Sequence, residues 1–197
     1  YINDGNGPIV PEAPSDLELY QNLYINEVSA EGTNGSKECW IEIYNDNMVP
    51  VTLDEGTYLT NDKKKPERHQ FSGIIIPAKG YRVIYCDKSP ELGNDHVDFE
   101  PKAKGDMILN VKIDGVMHEA DKLTYPEHLY NETYGRKTDA SAEVVKFVPE
   151  TFGKSNNYGL ERYEIKMSHE RGGYSTGCQR SMATEEGGAI MYTLDGL

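Results

Sequence analysis

The chain has 197 residues and a formal charge of −13, with charged residues at 27% and hydrophobic residues at 37%. That length supports one sandwich-sized domain with its own core and part of a second. The acidity excludes a duplex or RNA partner, whose phosphates require clustered Lys and Arg; the single basic run, Lys63-Lys64-Lys65 before Pro66, reads as a solvated loop tip.

Residues 1–16 are rich in Gly, Pro, Asn and Asp, carry no basic residue and show no periodicity, which predicts a flexible linker. From Leu17 the pattern turns strand-like, with Leu17–Tyr20 too short to assign. Leu23–Ser29 alternates and holds the β-formers Tyr24, Ile25 and Val28, which predicts a strand. A Gly- and Asn-rich turn over 31–36 leads to a second strand, Cys39–Asn45, expected to neighbour the first.

Short strands follow at Val49–Leu53, Thr57–Thr60, His69–Phe71 and Ile74–Ile76. Pro77-Ala78-Lys79-Gly80 is a turn in which Pro77 presets φ and Gly80 is expected to take positive φ. Tyr81–Cys86 is the clearest strand. Met107–Ile113 and Val116–Tyr125 flank Asp114-Gly115, a hairpin signal. Thr133–Arg136 and Val144–Val148 complete the series. No sustained 3.6-residue apolar period occurs before Pro149, so the fold class is all-β, a sandwich or barrel of short strands.

Cys39, Cys86 and Cys178 are isolated from one another and from His at metal-ligand spacings, which argues against zinc. Cys39 and Cys86 lie in strand-like segments, compatible with two buried thiols and with one bridge. The odd count leaves one thiol over unless it pairs with another chain. No apolar run approaches the roughly 18–20 residues of a membrane span, and a start at Tyr1 without Met is what a processed or trimmed chain shows.

The chemistry-bearing residues are few. Glu27 and Glu42 sit mid-strand in apolar segments, on strands expected to be close, so they are the weak candidates for acid–base work or Ca²⁺ binding. The plainer reading makes them framework acceptors for backbone or hydroxyl donors. Asp54, Glu55, Asp62, Asp87, Asp95 and Asp98 are loop carboxylates without an EF-hand pattern. His69, His96, His118, His128 and His169 form neither HxH nor HExxH, and no nucleophile elbow or phosphate-cradling loop is present. With 14 Tyr against 4 Phe and 1 Trp, the richest pattern is aromatic. Tyr44, Tyr58, Tyr81, Tyr85, Tyr125 and Tyr134, with Tyr130, are the candidate binding residues, either as a stacking face for sugars or as ordinary half-buried sheet positions. No catalytic residue is assigned.

Several ordered stretches resemble the bacterial, exported form of the lamin tail domain. These are Leu23–Val28, Trp40–Asn45, Val51–Leu53 with Gly56–Asp62, Ile76–Tyr81, Asp121–Pro126 with Tyr134-Gly135-Arg136, and Phe152–Asn157. The resemblance spans about 23–157. It departs from the family at Tyr58, where Trp is frequent, and at Glu55-Gly56, where Ser-Gly is frequent. Met167–Tyr174 and Gly188–Gly196 resemble the start of a chitobiase C-terminal-type module that normally continues further. The resemblance implies an immunoglobulin-like sandwich over 17–157 and a partial second β-module or docking extension over 158–197. It also implies an exported or cell-surface setting, lipid-anchored through a removed N-terminus, in which such domains sit beside enzymes as accessory modules.

The expected function is therefore non-catalytic: binding, spacing or attachment within a larger exported protein. Its expected partners are glycan or neighbouring domains of the same protein, with no nucleic acid and no membrane-spanning segment. No cofactor is expected, with Ca²⁺ as the one ion considered. The alternatives are a carboxylate-based hydrolase and a purely structural spacer.

Overall fold

The computed structural model describes residues 15–33 and 38–156 in full, together with the backbone of two short strands further on. The chain divides into two compact units, residues 1–160 and 161–197. In the second unit, β12 (Lys166–Met167) pairs antiparallel with β13 (Met182–Ala183). The remainder of the chitobiase-like stretch and Cys178 lie outside the described residues, as do 1–14 of the expected linker.

The first element among the described residues is a helix, not a strand. Helix α1 spans Asp16–Gln21, and Ser15 and Glu18 form a reciprocal capping box at its start. Ser15 accepts from the Glu18 amide while the Glu18 carboxylate accepts from the Ser15 amide at 2.7 Å, satisfying two donors that a helix start otherwise leaves open. The unassigned Leu17–Tyr20 stretch is thus helical, and the expected linker ends before Ser15.

Among the described residues, the strands of this unit pair antiparallel, as the alternation predicts, and one 3-10 turn, Pro90–Leu92, lies between them. A five-stranded sheet has the order β11-β10-β1-β2-β7. Its strands are β1 (Leu23–Ser29), β2 (Trp40–Asn45), β7 (Tyr81–Tyr85), β10 (Thr133–Arg136) and β11 (Val144–Phe147). A four-stranded sheet has the order β5-β4-β8-β9, with β4 (Thr57–Thr60), β5 (His69–Gln70), β8 (Gly105–Ile113) and β9 (Val116–Tyr125). β3 (Val51–Leu53) and β6 (Ile74–Ile76) form a separate ribbon. The expected neighbours β1 and β2 pair directly. The Asp114-Gly115 hairpin has both residues at positive φ, 50° and 79°, the geometry that matches the right-handed strand twist.

The core lies between the two larger sheets. Ile25, Val28, Ile41, Ile43 and Ile84 come from one, Leu59, Met107, Leu109 and Leu123 from the other, and Phe71 and Phe99 from loops. Burying an aliphatic side chain of this size contributes about 1.5–3 kcal/mol, so the sandwich needs no staple. At the Pro77–Gly80 turn the positive φ falls on Lys79, at 50°, and not on Gly80. Space favours Gly80 instead, because a Cβ there would lie 3.0 Å from the Pro77 Cβ and 3.2 Å from its carbonyl oxygen.

Among the described residues, no helix is long and apolar enough to cross a membrane.

Candidate functional site

The two mid-strand glutamates meet because of a bulge. β1 shifts register between Ile25 and Glu27, so that Ile25 opposes Ile43, Glu27 opposes Glu42 and Val28 opposes Ile41. Strict alternation would put Glu27 on the face of Ile25, in the core. Inserting Asn26 as the extra residue turns Glu27 to the outer face, where Glu42 already stands by the alternation of β2, while Ile25 and Val28 stay inside.

That outer face is covered by the chain segment after β11. Glu27, with no exposed surface, accepts from the Thr133 and Thr151 hydroxyls and from the Thr151 amide at 3.1 Å. Glu42, equally buried, accepts from Asn26 Nδ2 at 3.1 Å and from the Gly153 amide at 2.7 Å. Asp139 accepts from Asn26 Nδ2 at 2.9 Å, the Tyr81 hydroxyl at 2.6 Å, the Ser155 hydroxyl at 2.6 Å and the Asn156 amide at 3.0 Å. Three carboxylates thus each take one backbone amide of the segment 151–156. Asn156 completes the clamp, donating through Nδ2 to the carbonyls of Asn26 at 3.0 Å and Arg136 at 2.6 Å.

Beside the bulge, β10 departs from β1, and side chains replace the missing ladder bonds. The Ile25 amide donates to Asp121 Oδ2 at 2.7 Å, and Arg136 Nε donates to the Ile25 carbonyl at 3.2 Å. Arg136 and Asp121 close this unit with an ion pair at 2.7 Å, and the guanidinium lies over the Tyr24 ring.

Burial dominates the electrostatics. Desolvation raises Glu27 above the usual carboxylate range, against the lowering effect of its Thr133 and Thr151 hydrogen bonds. Desolvation lifts Glu42 to about 8, helped by the nearby Glu27 and opposed by Asn26 and Gly153. Asp139 behaves oppositely. Burial pushes it up, but donation from Ser155, Tyr81, Asn156 and Asn26 outweighs burial and holds it below its ordinary value.

A folded-state pKa above the unfolded one means that folding favours the protonated form. The contribution of Glu42 to stability is therefore fully present below about pH 4.5 and lost as pH rises through about 8. Urea denaturation between pH 5 and 9 is expected to show falling stability, with Glu42 contributing a slope of at most about 1.4 kcal/mol per pH unit. Glu42→Gln should flatten that decline; an unchanged slope in the variant would refute the assignment.

The candidate tyrosines do not share one face. Tyr58 and Tyr125 are buried in other parts of the sandwich, and the Tyr125 hydroxyl is tied to the Lys102 carbonyl at 2.9 Å. Tyr134 is half-buried against His128. Tyr44 and Tyr81 do come together, as a register pair of β2 and β7 whose rings stack with centroids 5.0 Å apart. Tyr44 is nevertheless buried, and desolvation together with its bond to Asp46 raises its hydroxyl to about 12. Tyr85 stacks on His96 at 4.8 Å and opposes Trp40 across the ladder. Trp40 is covered by the edge-on ring of Phe152 at 5.0 Å. Tyr81, Tyr85 and Phe152 keep part of their rings in solvent, and Tyr130 is exposed on a loop.

The loop carboxylates disperse to separate partners. Asp87 meets His96 at 2.7 Å, Asp95 meets Arg82 at 2.7 Å and Asp98 meets His69 at 3.4 Å. Asp62 organises its own loop through the Lys64 amide, while Asp54 and Glu55 border a groove beside α1. Among the described residues, no group of three His, Cys, Asp or Glu is placed to hold a metal ion.

Sequence reasoning singled out Glu27 and Glu42 but missed Asn26, Asp139, Thr151 and Asn156. The one available signal was the three-residue step between the core residues Ile25 and Val28, which breaks alternation and marks a bulge.

No family model, curated protein or solved structure matches the chain.

Proposed function

We propose that this chain is a non-catalytic accessory module of a larger exported protein, an immunoglobulin-like sandwich of lamin-tail type followed by a second β-module. In this reading it attaches the parent protein to glycan or to a neighbouring domain. The observation that carries the non-catalytic part is the use made of Glu27, Glu42 and Asp139. The oxygens of all three accept from donors of the fold itself, and Glu27 and Glu42 have no exposed surface. A hydrolase needs its carboxylates within reach of substrate. The binding part rests on the partly exposed rings of Tyr81 and Tyr85 on the edge strand β7 and of Phe152 over Trp40 of the neighbouring β2, since rigid amphipathic rings suit stacking on sugars.

The test is a glycan-array screen of the whole chain, with and without Ca²⁺, paired with an assay on glycoside, phosphoester and ester substrates. Saturable glycan binding that weakens at least tenfold in Tyr81→Ala or Tyr85→Ala is the expected result, with no turnover. Turnover abolished by Glu42→Gln would overturn the non-catalytic reading. A silent array would remove glycan as the ligand.

A further inference from the structure

We infer that Cys39 and Cys86 are a redox-closable pair whose disulfide staples strand β2 to the edge strand β7. The two residues stand one step beyond the last register pair of that ladder, Trp40 opposite Tyr85. The ladder continues through them, because the Cys86 amide donates to the Cys39 carbonyl at 2.7 Å. Residues directly opposed in an antiparallel ladder project to the same face. That face is the core here, for both cysteines belong to the same buried cluster as Ile41 and Ile84. Opposed residues of a hydrogen-bonded pair have Cα atoms about 5.5 Å apart, inside the Cα range a disulfide spans. Their Cβ atoms, up to about 5.5 Å apart, lie beyond the roughly 4.5 Å a disulfide reaches, so closure has to draw the ends of β2 and β7 together. Both side chains are thiols in this structure, and the Cys39 Sγ–H points to the Ala30 carbonyl at 3.1 Å.

Access sets the order of reaction. Cys39 borders a surface recess of about 590 Å³ together with Glu31, Glu100 and Tyr130, whereas Cys86 is wholly buried. Burial pushes both thiols up, Cys39 to about 11 and Cys86 well above its ordinary value, so only a small thiolate fraction reacts and closure is slow. With a small disulfide such as oxidised glutathione as the oxidant, the Cys39 thiolate attacks one glutathione sulfur. The glutathione S–S bond breaks, and the first glutathione leaves as its thiol. The Cys86 thiolate then attacks the Cys39 sulfur of this mixed disulfide, forming the Cys39–Cys86 bond and releasing the second glutathione. The two cysteines lose two electrons and two protons, and one glutathione disulfide becomes two thiols. In an oxidising compartment the pair would close and stay closed. The bond would tie down β7, the strand that carries Tyr81 and Tyr85, and this inference stands whether or not those rings bind glycan.

The whole chain, reduced and then incubated with oxidised glutathione, should be denatured, alkylated and mapped by peptide mass spectrometry. The expected product is a Cys39–Cys86 linked peptide in which neither of these two cysteines is alkylatable, whatever the state of Cys178. Its thermal midpoint should lie several degrees above that of the reduced form. In Cys86→Ala the oxidant should carry Cys39 no further than a glutathione adduct, whatever forms at Cys178, with no such rise. The inference is overturned if the wild-type chain stops at that adduct, links either cysteine to Cys178, keeps both thiols alkylatable, or forms the bond with no gain in midpoint.

Discussion

Glu27→Ala is expected to lower the stability of the first unit by about 3–5 kcal/mol, a large part of the 5–15 kcal/mol typical of a whole domain. The cost lies less in the lost bonds than in what remains. The Thr133 hydroxyl and the Thr151 amide would lose their acceptor in this buried site, and the Thr151 hydroxyl would keep only Asn156 Oδ1; a buried donor without an acceptor carries its full desolvation penalty. Glu27→Gln keeps one carbonyl oxygen and should cost about 1–2 kcal/mol. Urea titration followed by intrinsic fluorescence checks both, since Trp40 lies under the same segment. Equal effects of the two substitutions would mean that the carboxylate acts through its charge and not as an acceptor.

The second large effect is expected at Gly135. It opposes Glu27 in the β1–β10 pairing, beside the bulge where β1 bows out. A Cβ at this position would lie 2.5 Å from the Asn26 carbonyl oxygen, 3.1 Å from the Glu27 Cα and 3.2 Å from Asn156 Nδ2. Two of these atoms are backbone, so relief requires the strands to part. Gly135→Ala should cost about 3 kcal/mol. Gly153→Ala is the contrasting case: it sits at φ 70° with nothing within 4 Å of the added methyl, so the cost should be only about 1–2 kcal/mol of left-handed backbone strain. Because Gly135 and Glu27 serve the same clamp, their combined variant should lose less than the sum of the two. Additive losses in denaturation would place them in separate structures.

How much of this was legible in the sequence depends on the physics behind each feature. Strand positions were readable, since the alternation of Ile41 and Ile43 around Glu42, and of Ile25 between Tyr24 and Asn26, is a local consequence of having one buried face. Helix α1 was missed although its capping box, Ser15 and Glu18, stood in the sequence; the apolar pattern of Leu17 and Leu19 was too short to reveal a period. Glu27 and Glu42 were readable as odd residues in apolar strands, but their role was not. That role depends on a bulge and on the segment 151–156 returning from over a hundred residues away, and no local signal encodes such a contact. The tyrosines failed for a related reason. Alternation says which face a ring occupies, but not what covers that face, and Phe152 and His96 cover parts of it.

The carboxylates of Glu27, Glu42 and Asp139 hold the segment 151–156 on the outer face of the five-stranded sheet. Amide hydrogen exchange in the wild-type chain and in Glu27→Ala tests it most directly. In the wild type, the amides of Thr151, Gly153 and Asn156 should exchange as slowly as those of β1. In Glu27→Ala they should exchange at least tenfold faster while β8 and β9 stay protected. Fast exchange of these amides in the wild type, or equal protection in both chains, would contradict it.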